Sequence, residues 1–478
     1  MNYRMIKYTL GWILLFEALF LLLPTVCALV LSEHVLAAFL WSVAACLAAG
    51  LLLVLKKPTS TTLYSREGFL IVSLSWILLS LFGAMPLYIS GVTPSYVDAL
   101  FEIVSGFTTT GASIFPSVEV LPRSILFWRS FTHWVGGMGV LVFILAFLPL
   151  SGGQNMHIMK AESPGPSVSK LVPRVRTTAL ILYALYFVLT LIEFIMLLCG
   201  GMTAFEAMLT SFSTAGTGGF GFLNSSIGSF SPYIQIVVTV FMVLFSLNFS
   251  SYYLALREKW KDAFNEEIRA FVLIVLFSGV IIALNVRSLF SNLGDAFRHS
   301  FFTVSSIIST TGFATADFDL WPSLSKGILV TLMFIGACAG STGGGIKVSR
   351  IIILCKGALR ELKLALHPKQ IKKISVDARP VEHEVVRSVN SYMICYLLIF
   401  VLSFLLISID GHDLVTCFTS VAATLNNVGP GLSMVGPTQN FSFFSAPSKL
   451  ILIFDMLAGR LELFPMLLLF SPGTFKKT

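Results

Sequence analysis

Charged side chains are scarce in this sequence. Asp, Glu, Lys and Arg make up 12% of its 478 residues, about half the share found in an ordinary globular chain. That excludes a soluble multi-domain enzyme. Disorder is excluded from the other side, because it needs few apolar residues and much charge, and here 56% of residues are hydrophobic, with 42 Phe. Cysteine is sparse and scattered. Cys27, Cys46, Cys199, Cys338, Cys355, Cys395 and Cys417 form no CxxC or metal-ligand spacing and sit mostly in apolar stretches. They are expected as small hydrophobes rather than a disulfide framework. Only Glu17, Glu193, Asp455 and Arg460 fall well within apolar runs. They make no catalytic pair, so a membrane-embedded enzyme is disfavoured.

What is abundant is apolar length. The mean hydropathy is +0.86, and lipid must be the main solvent. A bilayer core of about 30 Å takes roughly 20 apolar residues per helix. Spans are expected near 10–31, 36–55, 68–90, 124–148, 178–200, 231–255, 270–290, 325–355, 389–409 and 446–470. The first is read as a retained span rather than a signal peptide, since its apolar run is long and lacks a clear cleavage site. The expected fold is an all-α integral membrane protein of ten transmembrane helices.

Lys and Arg distribution orients it. With the N-terminus inside, most of the 32 basic residues fall on inner segments, as cytoplasmic loops require. Arg123, Arg129, Arg287, Arg298, Lys326 and Lys449 fall at outer ends. Both termini are then cytoplasmic. The net charge of +8 is explained by topology and lipid headgroups, not by a nucleic-acid surface.

The outer connections carry a repeat. Each contains a moderately apolar segment too short to span, ending in a small-residue stretch: SGFTTTGAS from Ser105, SFSTAGTGGFG from Ser211, SIISTTGFAT from Ser306 and TLNNVGPGL from Thr424. Half-length segments suggest re-entrant helices. Irregular backbone at such depth is tolerated only when buried in protein or lining a cavity. Aligned on one glycine, the stretches give Thr109, Thr110 and Gly111; Thr217, Gly218 and Gly219; Thr310, Thr311 and Gly312; and Asn427, Val428 and Gly429. The glycines are 108, 93 and 117 residues apart. Four helix–re-entrant loop–helix units should close around an axis, with two extra helices at the N-terminus. The expected divisions are 1–66 for those two helices, then units at 67–150, 151–265, 266–365 and 366–478. Glycine lets the backbone adopt positive φ and turn its carbonyls inward. Carbonyl rings can replace the water shell of a monovalent cation, and four helix C-termini aimed at one centre favour a cation.

TTTGAS, STAGTGGFG, STTGFATADF and NNVGPGL resemble the four filter loops of Trk-type potassium uptake subunits, in the Trk/Ktr/HKT superfamily. Gly340-STGGGIK resembles the family's intramembrane gating loop, and Gly459-RLELFP its Arg-bearing segment. PGPSVSKLVPRVRTT is also similar to the family. The two extra N-terminal spans favour the Trk subunit over the shorter Ktr type. The resemblance implies potassium uptake across the cell (inner) membrane through a filter made of the twelve residues above, with K+ held in transit. Glycine at all four aligned positions favours potassium, since in relatives Ser at the first goes with sodium preference. It also implies a homodimer and a cytoplasmic nucleotide-binding regulatory subunit, for which the basic stretch from Lys347 to Arg387 offers a docking surface.

The Gly340–Lys347 stretch does not fit a phosphate loop, which needs Lys after the second Gly and then Ser or Thr. Ile346 follows Gly345, and Val348 follows Lys347. Gly343, Gly344 and Gly345 instead interrupt a helix, each costing about 1 kcal/mol relative to Ala. They are the candidate gate, with Lys347 beside them. Arg460 is a candidate barrier below the filter, or else an ion-pair partner of Asp455 or Glu462. Asp98, Glu102, Glu206, Asp295, Asp317 and Asp413 are expected to concentrate cations or to cap helices. His133, Trp128 and Trp134 read as packing or an interfacial belt, and Gly136, Gly137 and Gly139 as close helix packing. The alternative function is a secondary cation or solute transporter with broken helices, which would need inverted repeats.

Overall fold

The computed structural model describes residues 1–58, 64–139, 175–368 and 373–475. The linker residues Lys160, Lys170 and Arg174, and most of the PGPSVSKLVPRVRTT stretch, lie outside the described residues. Among the described residues the protein is mostly helical, with one small antiparallel hairpin that pairs Ser375 with Pro380 and Val376 with Arg379.

Helices α1 (Tyr3–Val30) and α2 (Leu36–Val54) form an N-terminal hairpin. Gly11 and Gly50 let them cross closely: a β-carbon on Gly11 would lie 2.9 Å from the Gly50 carbonyl oxygen. The hairpin packs on α3 (Ser65–Gly83) and α6 (Arg123–Gly137). Between α3 and α6 lie a one-turn helix, α4 (Met85–Ile89), and a half-length helix, α5 (Tyr96–Phe107). The order of a long, a half-length and a further helix then recurs, and in the later sets that further helix is broken. It runs α7 (Val175–Cys199), α8 (Ala204–Ala215), α9 (Pro232–Phe245) and α10 (Phe249–Leu256). After a short turn, α11 (Trp260–Ala263), come α12 (Glu266–Asn285), α13 (Leu293–Ile308), α14 (Ser323–Ile335) and α15 (Val348–Leu366). The last set is α16 (His383–Ile407), α17 (Leu414–Leu425), α18 (Ala446–Arg460) and α19 (Phe464–Leu469), followed by α20 (Pro472–Phe475).

Among the described residues, six helices are long and apolar enough to cross a bilayer, and a bent pair makes a seventh candidate. Three expected spans are broken. The run near 231–255 bends by 89° between α9 and α10. That near 325–355 is interrupted from Gly336 to Lys347, and that near 446–470 at Leu461–Leu463, where Glu462 and Leu463 take positive φ. The run near 124–148 is helical only to Gly137, and its remainder lies outside the described residues.

Helices α5, α8 and α17 have 12 residues each and α13 has 16. At 1.5 Å per residue these are about 18–24 Å long, short of a bilayer core. Each starts on a polar cap, Ser95, Thr203, Asn292 or Asp413, whose side chain accepts the backbone N–H three residues on. Such a cap stabilises a helix by about 1 kcal/mol. The helices' apolar faces are buried among the long spans, while the long spans expose Leu, Ile and Phe outward, as lipid contact requires.

Candidate functional site

All four half-length helices stop in the same way. Thr109, Thr217, Thr310 and Asn427 take positive φ of 54–60°. The next residue then donates its N–H back to a carbonyl five residues earlier: Thr110 to Ser105, Gly218 to Ser213, Thr311 to Ser306 and Val428 to Ala423, at 2.8–2.9 Å. This is the Schellman stop, which usually has Gly at the left-handed position. A β-branched residue there costs roughly 1–2 kcal/mol. Strain of this kind persists only where the surroundings over-determine it, and it clusters at functional sites. Local bonds help to hold it. The Thr109 hydroxyl donates to the Thr108 carbonyl at 2.7 Å and that of Thr217 to Gly216 at 2.6 Å. The Asn427 amide reaches both Thr110 Oγ1 and the Met456 carbonyl at 2.9 Å.

Two residues later the chain turns again at Gly111, Gly219, Gly312 and Gly429, with φ of 76–97°. The four turns touch in cyclic order. A β-carbon on Gly111 would overlap the Gly218 carbonyl oxygen, one on Gly219 that of Thr311, and one on Gly312 that of Val428. One on Gly429 would lie 2.6 Å from the Thr110 oxygen, which closes the ring. All four glycines line one cavity of about 210 Å³, together with Arg129, Asn224, Thr438 and Gln439. The structure therefore brings together the twelve residues singled out in the sequence, and each ring position needs glycine for both φ and space.

On the helix side of the ring sits the interrupted segment 336–347. The Gly344 N–H donates to Thr310 Oγ1 at 2.6 Å, and that of Gly345 to the Asn426 carbonyl at 3.0 Å. A β-carbon on Gly343 would lie 2.7 Å from the Ser309 oxygen. The segment also docks into the break of the second set, where Cys338 N donates to Ser246 O at 3.1 Å and Phe249 N to Gly340 O at 3.0 Å. Lys347, buried and at positive φ, donates its ammonium to the Gly343 carbonyl. Arg460 donates to the Thr342 carbonyl at 2.7 Å and to those of Gly136 and Gly137 at 2.6 Å. Its expected acidic partners are engaged elsewhere: Glu462 pairs with Arg350, and Asp455 accepts from Ser403 at 2.7 Å. All five candidate gate residues thus lie in one layer beneath the ring.

The outer acids sort mostly into caps. Glu206 completes a capping box with Thr203, Asp295 sits at the third position of α13, and Asp413 is itself a cap. The Thr416 hydroxyl bound to Asp413 holds that carboxyl below the usual aspartate range. Asp98 is paired with Lys449 at 2.6 Å, and Asp317 caps a single 3-10 turn. Glu102 is fully buried and paired with Arg129 at 2.7 Å. His133 is packing: its ring stacks on Phe220 at 4.3 Å and lies against Gly218. Gly136 and Gly137 are close-packing positions against Phe107 and Gly216. Glu17 and Glu193 are fully buried. All seven cysteines are free.

Sequence inspection missed Glu267. Its carboxylate accepts the N–H groups of Ala339 at 2.7 Å and Ser349 at 3.1 Å, one within the interrupted segment and one just past it. The only signal was an acidic residue in the first turn of an apolar helix, which more often serves the helix dipole.

The TrkH family profile, described as a cation transport protein, matches residues 34–476. The chain belongs to that family. It is 35% identical to the Trk system potassium uptake protein TrkH of Halomonas elongata over 485 aligned residues, covering all of both chains. It is 37% identical to the protein of the same name from Escherichia coli K12 over 490, again covering both fully. The crystal structure of the potassium transporter TrkH from Vibrio parahaemolyticus superposes with a TM-score of 0.89 at 34% identity, covering all of both chains. Family membership and the apolar helices together make this a multi-pass membrane protein of a transport class rather than an enzyme class.

Proposed function

We propose that this chain takes up potassium ions across the cell (inner) membrane along the axis of the glycine ring. The carrying observation is the cyclic contact of Gly111, Gly219, Gly312 and Gly429 with the carbonyl oxygens of Gly218, Thr311, Val428 and Thr110. Backbone oxygens gathered in this way can replace an ion's hydration shell. The four half-length helices end at the ring, so their partially negative C-termini favour a cation in transit and oppose an anion. The fourfold recurrence of the glycine turn supports four units around a shared pathway, and the positive-inside distribution supports both termini being cytoplasmic. The names of the relatives, all potassium uptake proteins, support the choice of ion. Glycine at every ring position supports potassium over sodium.

The segment 336–347 is the gate. Its glycines let the backbone change conformation with little strain, and Arg460 both holds it at Thr342 and places a positive charge under the ring. The assembly is a homodimer that works with a cytoplasmic nucleotide-binding regulatory subunit, docked not at the buried Lys347 and Arg350 but at the exposed Lys363, Lys373, Arg379 and Arg387 further along the basic stretch.

The test is cation flux in proteoliposomes for Gly111→Ser, with rubidium standing in for potassium and sodium as competitor. Weakened discrimination supports a filter at this ring. Unchanged discrimination in a folded variant rejects it.

A further inference from the structure

We propose that Arg129 and Glu102 form a buried positioning pair that clamps the first and second ring turns together and thereby sets how sharply the ring separates potassium from sodium. This rests on the ring being the filter.

Arg129 is 1% exposed and Glu102 fully buried, yet both carry charge beside the ring. Glu102 holds the outward strand of the first turn: it accepts the Ile114 N–H at 2.9 Å and the Ser113 hydroxyl at 3.0 Å. Arg129 holds the outward strand of the second turn: it donates to the Gly221 carbonyl at 3.3 Å, and its guanidinium lies 4.1 Å above the centre of the Phe220 ring. Phe220 directly follows ring residue Gly219, and Ser113 stands two residues beyond Gly111. The 2.7 Å bond between Arg129 and Glu102 therefore joins two ring turns that are 108 residues apart in sequence.

The joint belongs to one seam. Nine residues before each ring glycine stand Glu102, Thr210, Thr303 and Ser420. Only the first can accept a guanidinium as a carboxylate. Buried ion pairs are poor stabilisers, because desolvation offsets their attraction, and holding a geometry is one of their recognised uses. Arg suits this use: its planar fork reaches several acceptors at once, which a lysine ammonium cannot copy. A ring whose oxygens must stay at potassium distance rather than closing on sodium needs such a brace where two turns meet without covalent linkage.

The experiment compares rubidium uptake and sodium competition in proteoliposomes for wild type, Glu102→Gln, Arg129→Lys and Glu102→Asp. Thermal stability is followed in parallel. The proposal expects each variant to lose discrimination, Glu102→Gln by about fivefold, within the range that coupled neighbours show. Glu102→Asp and Arg129→Lys keep both charges and change only reach and fork, so they decide the matter if Glu102→Gln fails to fold. A merely structural pair would lower melting temperature and yield with the rubidium-to-sodium ratio intact, and that result would overturn the proposal. Gly111→Ser, run beside them, separates the two ideas. If it alters the ratio while the pair variants do not, the clamp fails and the filter stands. If it leaves the ratio unaltered, the filter itself fails and takes the clamp with it.

Discussion

The Arg460 guanidinium donates to the carbonyl of Thr342 at 2.7 Å, which ties the last broken helix to the segment beneath the ring. The same group reaches the Gly136 and Gly137 carbonyls. Through this one side chain, the last broken helix, the interrupted segment and the end of α6 share a joint. Arg460→Ala should free the segment and remove a positive charge from the pathway. Uptake per folded molecule should rise about tenfold, as expected from losing one charge-assisted bond of roughly 1.5 kcal/mol. Arg460→Lys should fall between, because an ammonium cannot fork to three carbonyls. Flux per molecule that stays at the wild-type level would leave Arg460 as a staple only.

Glu267 anchors the same segment from the other side. Glu267→Ala would orphan the buried Ala339 N–H, at a cost of about 1–3 kcal/mol. The expected outcome is a lower melting temperature together with raised basal leak. Deleting Gly343, Gly344 and Gly345 should raise leak as well, since those residues abut Ser309, Thr310 and Asn426. Liposome leak assays without any regulatory subunit report both effects. An unchanged leak in the deletion would argue that the segment is a static kink.

Much of this site was legible in the sequence, for a physical reason. Positive φ under a crowded backbone admits only glycine, so Gly111, Gly219, Gly312 and Gly429 left a mark that recurs four times. The three consecutive glycines at 343–345 announced an interruption in the same way. The other breaks did not show. The turn at Ser246–Asn248 is capped by Asn248, and the one at Leu461–Leu463 forces Glu462 and Leu463 into positive φ without any glycine. Hydropathy averaged over a window runs straight through both. Ion pairs were the least legible. Glu102 lies 27 residues from Arg129, and Glu462 lies 112 from Arg350. Nothing local chooses these partners over the other acids nearby. Arg460 stood out in the sequence as a charge within an apolar run, but its backbone carbonyl partners carry no sequence signature.

Asp413 allows a titration test. Its carboxylate accepts from the Thr416 hydroxyl and from the Thr416 N–H at 3.0 Å, which holds it below the ordinary aspartate value. A lowered folded-state value means that the ionised cap stabilises fully above the ordinary aspartate pKa. That contribution is lost as pH falls through the lowered one. Asn at this position still caps the helix but does not titrate. The melting temperature of wild type relative to Asp413→Asn should therefore hold steady from pH 7 to pH 5 and decline toward pH 3. A difference that is flat throughout would mean the carboxylate adds nothing beyond the neutral cap.

Two glycine-to-alanine changes set the ring against an ordinary helix site. In Gly219→Ala the new carbon would overlap the Thr311 carbonyl oxygen at a φ of 76°, so the backbone at the ring must move. Cation flux should drop at least about tenfold, with the protein still inserted and folded, because positions specialised for a strained backbone hold function more than global stability. Gly327, within α14, has nothing within 4 Å of the equivalent position. Gly327→Ala should keep full flux and raise stability by about 1 kcal/mol through helix propensity alone. Paired measurements should thus show a change mainly in flux for Gly219→Ala and only in melting temperature for Gly327→Ala. Equal flux in both would mean that the ring glycine is replaceable, which no close ring of backbone oxygens could allow.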